Sequence, residues 1–163
     1  NKEVSVLSPS VKVTAKSASG AILSTEETHF NYIAANDTVQ YSNEVYWDGA
    51  EAPATVEFEV VTGKDFSPNI ANHIKSSDIV FTNISDRKSD YGSTITGEVT
   101  NNSNIDSPCI MIIAAYYKDG KIVGGAYGFT EEIAAGQTTA FEIYGDDYVG
   151  QYDEVKLFGS DWL

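Results

Sequence analysis

Cys109-Ile110-Met111-Ile112-Ile113-Ala114-Ala115-Tyr116-Tyr117-Lys118-Asp119-Gly120-Lys121-Ile122-Val123 is the stretch on which the fold turns. Its first nine residues are apolar or aromatic, half the ~18 needed to span a bilayer. A run of that length with no polar alternation reads as a strand buried on both faces, at the centre of a sheet. Lys118-Asp119-Gly120-Lys121 then reads as a two-residue hairpin, because Gly supplies the positive φ that such a turn demands. Ile122 and Val123 begin the returning strand.

Working outward, the same stretch has an echo one hundred residues earlier. Setting residue n beside residue n+100 from Ser10 to Tyr41 gives seven identities in 32 positions without a gap. They are Ala15 with Ala115, Gly20 with Gly120, Ile22 with Ile122, Ile33-Ala34-Ala35 with Ile133-Ala134-Ala135, and Thr38 with Thr138. After a gap of one or two residues, Val45-Tyr46 meets Ile143-Tyr144, and Val56 and Phe58 meet Val155 and Leu157. Two copies of one β-domain follow from this. Alternation supports it: Val11, Val13 and Ala15; Val39 and Tyr41; Val56, Phe58 and Val60; Phe141 and Ile143, each with polar residues between most of them. Thr55–Val60 therefore reads as a strand with one wet face. The second copy has additional strand material, Ile79–Ile84 and Ser93–Asn101; its equivalent in the first would lie before Asn1, so either upstream sequence is missing or the first copy is a reduced version. The first copy is thus expected to leave a sheet edge that needs cover from the linker, the other domain or a second molecule.

The expected fold is all-β: two tandem antiparallel β-sandwiches, residues 1–61 and 78–163, joined by a linker over 62–77. In that linker Ser67 is suited to cap, Pro68 to open, and Ile70 and Ile74 to line one face of a short helical turn. An irregular linker with two apolar contacts fits the same residues.

The second copy resembles the FxLYD domain family. The residues that carry the resemblance are Gly97-Glu98-Val99-Thr100-Asn101-Asn102-Ser103, the strand ending Ile113-Ala114-Ala115-Tyr116-Tyr117, the Lys118–Gly124 hairpin and the loop Ile133-Ala134-Ala135-Gly136-Gln137-Thr138. Ile113, Ala115 and Tyr117 stand where the family motif has Phe, Leu and Asp; Tyr116 keeps its Tyr. The resemblance spans about residues 78–160, and the first copy shares it through the repeat. It implies an immunoglobulin-like sandwich at the surface of a Gram-positive bacterium, secreted or held by an upstream lipobox Cys. It implies no catalytic residues. The chain opens Asn1-Lys2-Glu3 without an initiator Met, so we expect a processed piece of a longer protein.

Ten Lys and Arg against 24 Asp and Glu give a net charge of -14, with both halves acidic. Such a surface repels phosphate backbones and anionic lipids, which excludes nucleic acid as a partner and argues against membrane association. No segment is apolar enough for membrane insertion. The single Cys109 cannot form an internal disulfide and reads as a buried, inert thiol in the central strand.

Sequence patterns for catalysis are weak. His29 and His73 lack partners at metal spacing and read as surface or linker residues. No G-x-S-x-G elbow occurs, and Gly124-Gly125-Ala126-Tyr127-Gly128 reads as close sheet packing or a bulge rather than a phosphate loop. Asp146-Asp147, with Asp153-Glu154, is the densest acidic cluster; a solvated loop and a calcium site both fit it. Sequons stand at Asn36, Asn83 and Asn101. No cofactor, metal or catalytic residue is assigned, and a non-enzymatic role is expected. The chain reads as a spacer or protein-interaction module. The alternative is a carbohydrate-binding module for cell-wall or dietary glycans. The residues for either contact are Tyr46, Trp47, Tyr144, Tyr148 and Tyr152, since flat rings stack on sugars and anchor protein interfaces. A homodimer through the edge strand of the first copy is a further expectation.

Overall fold

A computed structural model describes residues 4–42, 45–47, 49, 51–62, 64–66, 73–145 and 151–162, with backbone only at 64–66. Among these residues the chain is all-β, with one 3-10 turn at Ser76–Asp78. The strands are β1 (Ser5–Leu7), β2 (Ser10–Lys16), β3 (Ile22–His29), β4 (Tyr32–Ile33), β5 (Thr55–Val61), β6 (Lys64–Phe66), β7 (Ile79–Ser89), β8 (Gly92–Asn101), β9 (Ile110–Lys118), β10 (Lys121–Phe129), β11 (Thr138–Gly145) and β12 (Glu154–Asp161). They form four three-stranded antiparallel sheets, ordered β4-β1-β6, β3-β2-β5, β11-β8-β7 and β10-β9-β12. The contacts divide into two compact units. One holds Asn1–Asn36 and Glu44–Asn69; the other holds Asp37–Asn43 and Ile70–Leu163.

In the second unit, β9 is central between β10 and β12, as its unbroken apolar run predicts. Ile110, Ile112, Ala114 and Tyr116 face a core that also takes Ile95 and Val99 from β8, Ile79 from β7, and Phe141 and Ile143 from β11. Two sheets closing on one apolar layer make this unit β-sandwich-like. Each fully buried Ile or Phe adds roughly 1.5–3 kcal/mol. The hairpin between β9 and β10 is the tight one expected: Asp119 (φ 50) and Gly120 (φ 73) both take positive φ, and Lys118 pairs with Lys121. At Gly159 a Cβ would stand 2.5 Å from Ile79 Cγ2, so only Gly lets β12 and β7 approach this closely.

The repeat has a structural counterpart. In the first unit Val13 of β2 pairs with Phe58 of β5; in the second Ile113 of β9 pairs with Phe158 of β12. The register is the same under an offset of one hundred. This corrects the pairing of Val56 and Phe58 with Val155 and Leu157: no gap is needed, and Phe58 answers to Phe158. Both hairpins also carry a bulge at the equivalent residue, Leu23 and Val123, where the register shifts. The pairing of β1 with β4 is answered by an isolated bridge, Ser107 with Ile133.

Among the described residues β7, β8 and β11 have no equivalent sheet in the first unit, and one expectation changes with that. The alternation at Val39 and Tyr41 does not produce a strand; its equivalent, Thr139–Phe141, is part of β11 and pairs with β8. With no β8 to pair with, residues 37–42 stay irregular, and the segment is grouped with the second unit. There a Cβ on Gly125 would collide with Ser42, whose own Cβ is 3.0 Å from that position. The Gly-rich run of β10 is therefore a bulge and a close approach, as its composition suggests. β5 forms as predicted, and all seven of its residues are exposed, on both faces. Among the described residues no other strand pairs with its outer edge.

The expected helical turn over Ser67, Pro68 and Ile70 lies outside the described residues. Cys109 is half-buried just before β9 rather than inside its core, and burial raises its thiol pKa, so the site disfavours the thiolate.

Candidate functional site

The first unit has a small core. Ala15, Phe30 and Ala34 are its buried apolar residues, and Ser5 is buried as an acceptor for Tyr32 Oη at 2.7 Å and the Ala35 amide at 3.2 Å. Its sheet β3-β2-β5 has two unlike faces. Residues paired across antiparallel strands share a face. One face therefore carries Val11, Val13 and Ala15 from β2 with Val60, Phe58 and Val56 from β5. The other carries Lys12, Thr14 and Lys16 with Glu59, Glu57 and Thr55.

The apolar face is the unusual one. Val56, Phe58 and Val60 are 49, 71 and 70% exposed, three large apolar side chains in a row along a sheet edge. Among the described residues no other strand pairs with the outer edge of β5. In the second unit the residue answering to Val60 is Ser160, which is buried, and Phe158 is half-buried. Exposed apolar rows of this kind mark interaction surfaces. They also define a prediction. Phe58→Thr keeps a β-forming residue and removes a ring that packs little, so it should cost the first unit less than about 1 kcal/mol. Phe141→Ala, in the second unit's core, should cost about 3–5 kcal/mol. Thermal unfolding followed by Trp47 and by Trp162, one tryptophan per unit, separates the two effects.

Two of the sequence-selected aromatics join this face. The Tyr46 amide donates to Glu26 Oε1 at 3.0 Å, and Glu26 pairs with Val13 on the same face. Two strand spacings, about 10 Å, separate Glu26 from Phe58 across the sheet. Tyr46 and Trp47 are 72 and 41% exposed. The apolar strip of β5 and the Tyr46-Trp47 loop thus belong to one surface. Sequence inspection selected the loop and passed over Phe58. The signal for it is the alternation of β5.

The other selected residues separate. Tyr144 is exposed on β11 and its hydroxyl donates to Glu142. Tyr152 is buried: its ring lies 4.6 Å from that of Tyr116, its hydroxyl donates to Asp86 at 2.8 Å, and Lys88 Nζ sits 3.6 Å above the ring. That corrects its assignment as a stacking residue; its ring is taken up by the core. Tyr148 and Asp146-Asp147 lie outside the described residues. A second aromatic group went unselected. Tyr127, Phe129 and Trp162 follow one another at 5.8 and 5.7 Å between ring centroids, inclined at 79° and 59°. Rings so inclined do not form the flat shelf that a sugar face needs.

Burial, then the hydrogen bond to Asp86, pushes the Tyr152 phenol well above its ordinary range, and burial raises Tyr116. A phenol with a raised folded-state pKa is held protonated by the fold. Its contribution to stability is whole below about pH 10 and is lost as pH rises through the folded value. Titration at 295 nm should show Tyr116 and Tyr152 ionising only with unfolding, and their ionisation in the intact fold would contradict this.

His73, read as a surface or linker residue, is buried with Asp161: Nδ1 lies 3.2 Å from Oδ2, and the two side chains are 6 and 4% exposed. Ser107 Oγ donates to the other carboxylate oxygen at 2.5 Å. The carboxylate stands in the middle and holds the serine proton. An acyl-transfer site has the imidazole there, to take that proton. The cluster ties the end of β12 to residues 73–74 and to Ser107. Among the described residues no three His, Cys, Asp or Glu side chains gather as a metal set. No helix is long and apolar enough to cross a membrane.

No protein-family model, curated protein or solved structure matches the chain.

Proposed function

We propose that this chain is a non-enzymatic interaction and spacer module of an extracellular bacterial surface protein, built from two tandem immunoglobulin-like repeats and anchored through an upstream signal or lipobox. The observation that carries the interaction reading is the bare row Val56, Phe58 and Val60 beside the Tyr46-Trp47 loop. A soluble domain that keeps such a row exposed at a sheet edge accepts an aggregation hazard, which is explained if a partner covers it. The surface assignment rests on the FxLYD resemblance and on the acidity of both halves, which favours solubility in an open medium.

The test is a photo-cross-linking amino acid at position 58, with position 144 as a control, exposed to the extracellular proteins of the producing organism. A defined protein adduct from 58 and none from 144 is the expected result. Equal labelling at both positions overturns the reading. A carbohydrate-binding role keeps one supporting observation, the adjacent exposed rings of Tyr46 and Trp47. It requires glycan binding that Trp47→Ala abolishes and Phe58→Thr spares.

A further inference from the structure

We infer that the outer edge of β5 takes an added strand from a partner protein whose residues alternate apolar with Lys or Arg. The inference rests on the interaction reading and specifies its partner.

The charge order across the sheet carries it. On the polar face, Glu27 of β3 pairs with Lys12 of β2, and Lys12 pairs with Glu59 of β5. In the neighbouring row Lys16 Nζ reaches both oxygens of Glu57 at 2.7 Å. In the row through Lys12 the sign alternates from strand to strand, acid then base then acid; the next row reads Thr25, Thr14, Glu57, so β5 presents two acids at an edge that no other strand pairs with among the described residues. The next strand in that order carries cations opposite Glu57 and Glu59. On the other face it carries apolar side chains opposite Val56, Phe58 and Val60. The sheet already shows one such strand, because β2 itself reads Val11-Lys12-Val13-Thr14-Ala15-Lys16 and pairs with β5 along its whole length. Strand addition supplies backbone hydrogen bonds, and the alternate side chains set the choice of partner.

A second copy of this chain suits the edge poorly. β5 reads Val56-Glu57-Phe58-Glu59-Val60, symmetric about Phe58. Antiparallel pairing of two copies centred on Phe58 sets Glu57 opposite Glu59 twice. Like charges directly opposite one another weaken a strand pair. The expected edge-strand homodimer therefore gives way to a heterologous partner.

The test uses two fluorescent peptides with capped ends, Val-Lys-Val-Lys-Val and Val-Glu-Val-Glu-Val, titrated with the full chain in low salt. The basic peptide should bind about tenfold more tightly than the acidic one, the difference expected when two cross-strand pairs change from repulsion to attraction. Moderate salt should narrow that gap. A Glu57→Lys/Glu59→Lys chain should reverse the preference, and a Glu57→Gln/Glu59→Gln chain should flatten it. Unfolding followed by Trp47 checks that each variant is folded, and amide shifts should fall on Thr55–Val61. Equal binding of both peptides, shifts centred elsewhere, or a chain dimer that the basic peptide does not displace overturns the inference. If neither peptide binds while position 58 still cross-links to one protein, strand addition fails and the interaction reading stands.

Discussion

Asn101→Ala should lower the stability of the second unit by about 3 kcal/mol or more, a large share of what a domain of this size has to lose. Asn101 ends β8 with a fully buried side chain. Its Nδ2 donates to the carbonyls of Ile105 at 2.7 Å and Ile133 at 3.0 Å. Its Oδ1 accepts from the Ser103 amide at 3.1 Å and Ser103 Oγ at 2.7 Å. One amide thus ties β8, the turn after it and the segment around Ile133. Removing it takes one donor from each of the two carbonyls and the acceptor from the part-buried Ser103 amide and hydroxyl. Asn101→Asp keeps the shape and the acceptor and turns a carboxylate toward the two carbonyls. It should be at least as damaging as Ala. A milder effect for Asp would show that shape, rather than donation, holds the site. Urea unfolding in a Trp47→Phe background, reported by Trp162, isolates this unit, since two units need not unfold together. The same geometry closes the sequon at Asn101 in the folded protein, because both amide hydrogens are already engaged.

Gly145→Ala should cost about 2–3 kcal/mol, although Ala is the smallest possible addition. A Cβ at 145 would fall against Tyr116 Oη, 3.1 Å from the ring carbon that bears it and 2.7 Å from Ser93 Oγ. Tyr116 is wholly buried and bonded to Ser93 Oγ at 2.8 Å, so it cannot step aside. Tyr116→Phe removes the obstructing oxygen and one hydrogen bond, at about 1 kcal/mol alone. The double variant should then be more stable than the two single costs predict. Strict additivity would show that the Tyr116 hydroxyl is not what excludes the methyl group.

The parts of this molecule legible in its sequence are those decided locally. β9 follows from its apolar run, the turn at Asp119-Gly120 from its φ requirement, and the bulge near Val123 from the Gly-rich strand beside it. The repeat is legible too in the offset of one hundred, but not the register of its last strand: Phe58 answers to Phe158, opposite Val13 and Ile113, rather than to Leu157. What was not legible depends on neighbours. Alternation at Val39 and Tyr41 states which side chains share a face but not whether a strand exists to pair with. Alternation in β5 marks Val56, Phe58 and Val60 as one face but not whether anything covers it. Tyr152 and His73 show the converse: a ring selected for stacking and an imidazole read as a surface or linker residue each satisfy a polar atom inside the fold, on Asp86 and Asp161. Of the candidate surface, Tyr46 and Trp47 came from composition, while Phe58 required the three-dimensional arrangement.

The grouping of residues 37–43 with the second unit has a consequence for biosynthesis. During translation these residues leave the ribosome long before Gly125 and the strands around it exist. Asp37 meets its partner Ser76 about forty residues later, but Ser42 meets Gly125 only after some eighty further residues are made. Closure of the outer face of β10 is therefore a late event that joins early and late parts of the chain. A chain beginning at residue 70 would carry every strand of the second unit and still lack the piece that packs on Gly125. Supplying residues 37–43 as a separate peptide should restore that packing, a complementation that two independently closed halves would not need.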